Sequence, residues 1–415
     1  MKDVLKRITP QKEEVVEFHK VTTEFLHKIN VKLKGADVIL GGSCAKGTWL
    51  TKNHDIDCFA RFDYDQYSHK TMELSVFLEE ALKKAFPKIN IKRVHGSRDY
   101  FQMTYKHFEF EIVPVLKIRN LKEALNITDI SPLHADWVNK HTKKLKKDIL
   151  LTKQFFKSQK LYGAESHIGG FSGYTLEILI IHYGSFENLL KATEKWKEGM
   201  VIDVENYYPK KDALFHLNRS KHSVLTLIDP IDKSRNALAA LTKEKFHLTK
   251  KVARQYLKHP NPSFFDKKPF DIISLQKESQ RKGHCTLFLN INPLEGKADV
   301  VGMKVIKIYD HLVRKLQDFG IIKSGWEWDK GEQGWIYFIV DKEKLPDIEL
   351  RVGPPLSLKE AVNAFKKTHK KTNIQKMHVV AEVKREFPLL RDYVNHILKE
   401  KYVKEKVKKI KIYSA

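Results

Sequence analysis

Apolar residues between positions 11 and 34 recur at the helical period, with Val15, Phe18, Phe25, Ile29 and Leu33 on one stripe and Gly35 closing the stretch. The period then changes. Residues 38–40 read as a short strand, 56–62 as a second, and 71–86 as another amphipathic helix ended by Pro87. Residues 89–94, 100–105 and 108–116 read as further strands. Alternation in the last places Glu109 and Glu111 on one face and Phe108, Phe110 and Ile112 on the other, because successive strand side chains point to opposite sides. The order αββαβββ predicts a mixed α+β domain ending near residue 130.

A helical stretch follows. Residues 137–160 carry apolar residues at helical spacing with lysines between them, and 169–183 read as a buried helix entered through Gly169-Gly170-Phe171-Ser172-Gly173. Residues 243–257 form another predicted helix, with Pro260 and Pro262 beyond its end. From about residue 283 the reading is strand 285–290, helix 304–319, strands 322–328, 335–340 and 377–383, and a terminal helix 393–408. That order resembles a ferredoxin-like sheet of the kind RNA-binding modules use. The stretch with Gly353-Pro354-Pro355 and Lys366-Lys367-Thr368-His369-Lys370-Lys371 reads as an insertion in it. The predicted fold class is α+β and multidomain, with segments 1–135, 136–257, 258–345, 346–375 and 376–415.

Composition narrows the class. The chain has 415 residues, 42% hydrophobic and 31% charged, which excludes a disordered polymer and suits several domains. No apolar run approaches the ~20 residues of a membrane span. The start, Met1-Lys2-Asp3-Val4, lacks an apolar signal core, so a cytoplasmic protein is expected. Cys44, Cys58 and Cys285 show no CxxC spacing and read as packed thiols rather than a zinc site or disulfides. Lys+Arg number 76 against 51 Asp+Glu, a net charge of +25. Such an excess attracts polyanions, although lysine-rich surfaces also occur in proteins from hot environments. Nucleic acid fits better than membrane, since no basic amphipathic anchor or lipidation motif is present.

The densest chemistry lies in Gly41-Gly42-Ser43-Cys44-Ala45-Lys46-Gly47, followed eight residues later by Asp55-Ile56-Asp57. Two glycines after a strand let backbone N–H groups approach an anion. Ser43 can donate to a phosphate oxygen and Lys46 adds charge one turn on. Asp55 and Asp57 share a strand face, and two hard oxygen ligands on one side suit Mg²⁺. Glu111, or Glu109 beside it, can supply a third carboxylate. Three carboxylates can hold two metals ~3.5–4 Å apart, one activating a 3′ hydroxyl and one on a triphosphate. A GGS turn or a DxD pair alone is more often a surface turn or a solvated pair. Their succession on strand, turn and strand is far more specific, and it lacks the spacing of a P-loop.

These motifs resemble the polymerase-β-like nucleotidyltransferases, and more narrowly the archaeal, class I CCA-adding enzymes. The resemblance rests on GGSCAKGTWLTKNHDIDCF, EIVPVLKI, SPLHADW, LLTKQFFKSQKLYGAE, GGFSGYTLEILIIHYGSF and IDPIDKSRNALAAL. It implies a nucleotidyltransferase catalytic head (1–135), a mostly helical, nucleotide-binding neck (136–257), a ferredoxin-like body (258–345 and 376–415) and a tail insertion (346–375). It implies template-independent addition of CCA to tRNA from CTP and ATP, with Asp55, Asp57 and Glu111 as catalytic Mg²⁺ ligands. Ser43, Lys46, His134, Lys153 and Tyr162 would hold the triphosphate and sugar, and Arg235 would help read the base. A homodimer is compatible with the family. Two positions depart from its pattern: Glu111 stands where Asp is usual, and Lys46 where Arg is common, which loses bidentate geometry but keeps charge. From Lys359 to Lys411, sixteen Lys/Arg face six Asp/Glu. Lys366, Lys367, Lys370 and Lys371 are therefore expected on RNA phosphates. Trp326, Trp328, Trp335 and Tyr337 are expected mostly in core packing rather than base stacking. The competing readings are a poly(A) polymerase, a terminal uridylyltransferase, and a non-catalytic RNA-binding relative.

Overall fold

Five strands form the first sheet of the computed structural model, which describes residues 1–52, 55–142, 144–209 and 212–413. They are β1 (Ala36–Leu40), β2 (Asp55–Asp63), β3 (Lys92–Val94), β4 (Tyr100–Tyr105) and β5 (Phe108–Lys117), in the order β1-β2-β5-β4-β3. β2 and β5 run parallel and the other neighbours antiparallel, so the sheet is mixed. Its buried face carries Ile56, Cys58, Phe62, Phe110 and Ile112, packed with Phe25 and Ile29 of helix Lys12–Asn30 and Leu78 and Leu82 of helix Leu74–Ala85. The Phe25 and Phe110 rings stack at 3.9 Å. The expected alternation is seen, and the opposite face carries Asp55, Asp57, Glu109 and Glu111.

A second core joins helices Ser131–His141, Lys146–Ser158, Gly173–Tyr183, Phe186–Lys195 and Lys243–Lys258. A parallel pair, β6 (Met200–Asp203) and β7 (Leu225–Ile228), joins the same core. The helical stretch expected over 137–160 is built of two helices, the first ending where Thr142 leaves helical geometry. Helix Lys2–Ile8, not foreseen from the sequence, buries Val4 and Ile8 in this core, and Thr51 N–H donates to the Ile8 carbonyl at 2.9 Å.

The chain divides into two compact units, Met1–Lys268 and Pro269–Ala415. The second contains β8 (Cys285–Pro293), β9 (Ile321–Trp328), β10 (Gly334–Val340), β11 (Ile348–Pro355), β12 (Thr372–Gln375), β13 (His378–Lys384) and β14 (Val407–Ile412). Four strands form an antiparallel sheet in the order β14-β8-β10-β9. Helices Ala298–Lys315 and Leu390–Ile397 bury Val305, Ile308, Leu312, Val394 and Ile397 in the core that also takes Leu289, Ile336 and Phe338.

Two expectations are corrected here. The strand near 377–383 does not join that sheet; β13 pairs with β11 and β12 in a separate three-stranded sheet. The terminal helix expected over 393–408 stops at Ile397, and the chain returns through Lys401–Lys404 into β14, which pairs with β8. The expectation for the aromatics is mixed as well. Trp326 packs against the helix-covered core, whereas Trp335 and Tyr337, half-buried, gather around Phe270 at 6.3 and 5.4 Å between ring centres.

Candidate active site

The parallel register of β2 and β5 sets Asp55 opposite Glu109 and Asp57 opposite Glu111. Adjacent parallel strands therefore bring four carboxylates to one sheet face. The turn between β1 and β2 closes over Asp57. Gly41 N–H donates to the Asp57 carbonyl at 2.8 Å, and the chain enters the short helix Gly42–Lys46, where a bare turn was expected. Gly42 has φ +53°, and a Cβ there would stand 1.8 Å from Asp57 Oδ2. Only glycine leaves that carboxylate its space. Burial pushes the Asp57 carboxyl above its ordinary value, Lys46 and Lys153 pull it down, and Asp55 pushes it further up. Glu111 Oε2 accepts from Gln102 Nε2 at 3.1 Å, and Glu109 Oε1 from Thr104 Oγ1 at 2.7 Å.

This donor set fits a hard divalent cation: it is all oxygen, on one face, with Asp57 in a cradle that a side chain at Gly42 would fill. Among the described residues no three carboxylate, imidazole or thiol groups already close around an ion-sized point.

Lys46 and Lys153 meet on one carboxylate. Glu177, fully buried, accepts from Lys46 Nζ at 2.5 Å through Oε2 and from Lys153 Nζ at 2.7 Å through Oε1. Thr48 Oγ1 also donates to Oε1 at 2.6 Å, and Lys153 reaches the Thr48 carbonyl at 3.1 Å. Burial opposes ionisation of Glu177, yet the two ammonium groups hold its pKa down to about 2. Burial lowers the Lys153 pKa, Glu177 raises it and Lys46 lowers it again. Two cations on one anion leave one net positive charge beside Asp57.

His134 and Arg235 meet on a second buried carboxylate, Asp229. Its Oδ2 lies 2.9 Å from Arg235 Nη1 and 3.3 Å from His134 Nε2. Its Oδ1 accepts from Tyr174 Oη at 3.2 Å and from the Ile231 N–H at 2.9 Å. The His134 ring stacks on Tyr174 at 4.3 Å, and Lys46 Nζ lies 5.9 Å from the Tyr174 ring centre. Burial raises the Asp229 carboxyl, but His134 and Arg235 prevail and hold it low.

Helix Gly173–Tyr183 joins the two clusters, presenting Tyr174 to Asp229 and Glu177 to the lysines. Ser172 caps it by accepting from Thr175 N–H at 3.1 Å, a contact worth ~1 kcal/mol. Tyr162, whose hydroxyl pKa burial pushes up, stands at its start: a Cβ on Gly173 would lie 2.8 Å from Tyr162 Oη and 3.7 Å from Lys153 Nζ. Ser43 lies in the short helix Gly42–Lys46, half-buried, its carbonyl accepting from Thr48 N–H at 3.0 Å. The residues expected to hold nucleotide thus all lie in the first unit, on these elements. Lys366, Lys367, Lys370 and Lys371 belong to the second unit, at the end of helix Lys359–Thr368 and just beyond it.

Tyr174, Glu177, Asp229 and Gln102 were not singled out from the sequence. Glu177 carried a readable signal, since it is the one charged residue in Gly170–Ile181, and a buried charge needs partners. Asp229 follows the buried strand Leu225–Ile228 in the same way.

Residues 147–266 match the family described as tRNA nucleotidyltransferase, second domain, and residues 305–413 match CCA-adding enzyme, C-terminal domain. Residues 1–149 match the Second Messenger Oligonucleotide or Dinucleotide Synthetase domain. The chain is 36% identical over 366 residues to the CCA-adding enzyme of Nanoarchaeum equitans, covering 85% of this chain and 87% of that one. It is 30% identical over 412 residues to the CCA-adding enzyme of Methanocaldococcus jannaschii, covering 95% and 90%. Among solved structures, Cid1, described for its RNA terminal uridylyl transferase activity, shares the fold with a TM-score of 0.53 at 13% identity, over 65% of this chain and 97% of that one. On the strength of these full-length relatives, the chain belongs to the CCA-adding enzymes, within the tRNA nucleotidyltransferases.

Proposed function

We propose that the chain adds C, C and A in turn to the 3′ end of tRNA from CTP and ATP, without a nucleic acid template, and that Asp55, Asp57 and Glu111 are its catalytic carboxylates. The observation that carries this is the register of Asp57 against Glu111 beside the Gly42 cradle, in a chain of this ancestry. Asp55, Asp57 and Glu111 would hold Mg²⁺, with Glu111 turning from Gln102. Bound metal supplies charge neutralisation on the triphosphate and lowers the pKa of the attacking 3′ hydroxyl.

The protein's own part is positioning. Lys46 and Lys153, with net charge beyond that of Glu177, attract the triphosphate, and Ser43, Tyr162 and His134 complete its setting. Arg235 reads the base. Lys366, Lys367, Lys370 and Lys371 take RNA phosphates. The segments are a nucleotidyltransferase head (1–135), a neck (136–257), a body that begins at 258 and resumes after β13, and a tail insertion that begins at 346 and includes β13, which pairs with β11 and β12 rather than with the body sheet. The strand order β14-β8-β10-β9, with one helix between β8 and β9 and another before β14, supports a ferredoxin-like body. No described helix is long and apolar enough to cross a membrane; a cytoplasmic location completes the reading, and a homodimer is compatible with it. Extension of a tRNA transcript lacking CCA tests the reading. Growth by three nucleotides with CTP and ATP supports it, and a long homopolymer from one nucleotide refutes it.

A further inference from the structure

Arg235 is half-exposed, and among the described residues its side chain is held through Nη1 alone, on Asp229 and against His134 at 3.5 Å. A guanidinium carries five N–H donors and no acceptor, so Nε and Nη2 keep donors to offer. A group that reads hydrogen-bond positions on a base must be held still, because a donor displaced by about 1 Å meets a different edge atom. What holds this one is a fully buried carboxylate. The Asp229 backbone closes the same turn, its N–H donating to the Arg235 carbonyl at 3.0 Å, while Arg235 N–H donates to the Asp232 carbonyl at 2.9 Å. The same carboxylate also fixes His134, and Tyr174 beneath it.

We infer that Asp229 is a positioning residue for nucleobase selection, fixing the Arg235 fork and the stacked His134–Tyr174 pair as one rigid wall of the base site. The inference rests on the reading that Arg235 meets the base. Cytosine offers an acceptor at N3 where uracil offers an N–H, so a fork of donors held in place separates CTP from UTP, and a loosened one does not.

The test uses the full chain with a tRNA that lacks CCA and whose terminal 3′ hydroxyl has been removed, so that binding is read without incorporation. Dissociation constants for CTP and UTP are measured for the wild type, Asp229→Asn, Arg235→Ala and the double variant. The expected result is a CTP preference in the wild type that falls about tenfold in Asp229→Asn. In the Arg235→Ala background Asp229→Asn changes the preference no further, because it acts through the missing side chain. An unchanged preference in Asp229→Asn, an equal further drop in the Arg235→Ala background, or no CTP preference in the wild type overturns the inference. Should Asp229→Asn unfold, Asp229→Glu keeps the charge, displaces the fork by one methylene, and must lower the preference as well; if it does not, the inference fails. Incorporation into unblocked tRNA by the same wild-type sample separates the two readings. Failure there with CTP preference intact counts against the proposed activity and not against the role of Asp229.

Discussion

The ammonium of Lys46 lies 2.5 Å from the carboxylate of Glu177, although 131 residues separate them. This contact pins the short helix Gly42–Lys46, whose glycine turn packs on Asp57, to a helix of the second core, and Lys153 shares the same anion. Removing one partner of a buried ion cluster leaves uncompensated charge, at a cost of ~3–5 kcal/mol. Glu177→Gln should therefore destabilise the first unit by about that amount, as urea unfolding will show. A loss below about 1 kcal/mol would mean that the lysines find other partners.

The same carboxylate makes stability depend on pH in one direction. Glu177 is held to about 2 in the folded chain against an ordinary 4.5. A depressed carboxyl stabilises fully above its unfolded value, and its contribution fades as pH falls from about 4.5 toward about 2. The expected loss across that window is on the order of 3 kcal/mol. The stability gap between wild type and Glu177→Gln should shrink from pH 6 to pH 3. A gap that stays constant would show that Glu177 is not ionised in the fold.

Gly42→Ala introduces a Cβ 1.8 Å from Asp57 Oδ2. The left-handed backbone at Gly42 costs an alanine only ~1–2 kcal/mol, so the fold should survive. Displacement of Asp57 by an ångström should lower incorporation about 100-fold. A thermal unfolding scan alongside the activity assay checks both halves. Near-wild-type activity would show that Asp57 does not need its present position.

Replacing Lys366, Lys367, Lys370 and Lys371 with alanine should weaken tRNA binding most at low salt. If all four meet phosphates, the slope of log affinity against log salt falls by about three to four units. An unchanged slope would place the RNA elsewhere on the basic surface.

The carboxylate face was legible in the sequence because its signals are local. Alternation in β2 and β5 fixes which side Asp55, Asp57, Glu109 and Glu111 occupy, and a strand period cannot be satisfied any other way once Ile56, Phe110 and Ile112 are buried. The anchors were not legible as partners. Glu177 and Asp229 stand out as charges beside apolar residues, but part of what neutralises them, Lys46 for Glu177 and His134 for Asp229, arrives from 131 and 95 residues away through tertiary packing, joining the nearer Lys153 and Arg235. β14 was misread for a different reason. Its register against β8 shifts between Val407 and Lys409, and that irregularity puts Lys408 and Lys409 side by side and breaks the two-residue period. The helix Leu390–Ile397 before it carries the stronger apolar pattern.

The most direct test of the account is incorporation of labelled CTP, ATP, UTP and GTP into tRNA transcripts lacking CCA, CA or A, with Mg²⁺ and with chelator, by the wild type and Asp57→Ala. The account predicts metal-dependent addition of C, then C, then A by the wild type and nothing beyond. It predicts loss of both CTP and ATP incorporation in Asp57→Ala, with tRNA binding nearly intact. Loss of only one nucleotide, or long homopolymers from the wild type, would contradict a single site serving all three additions.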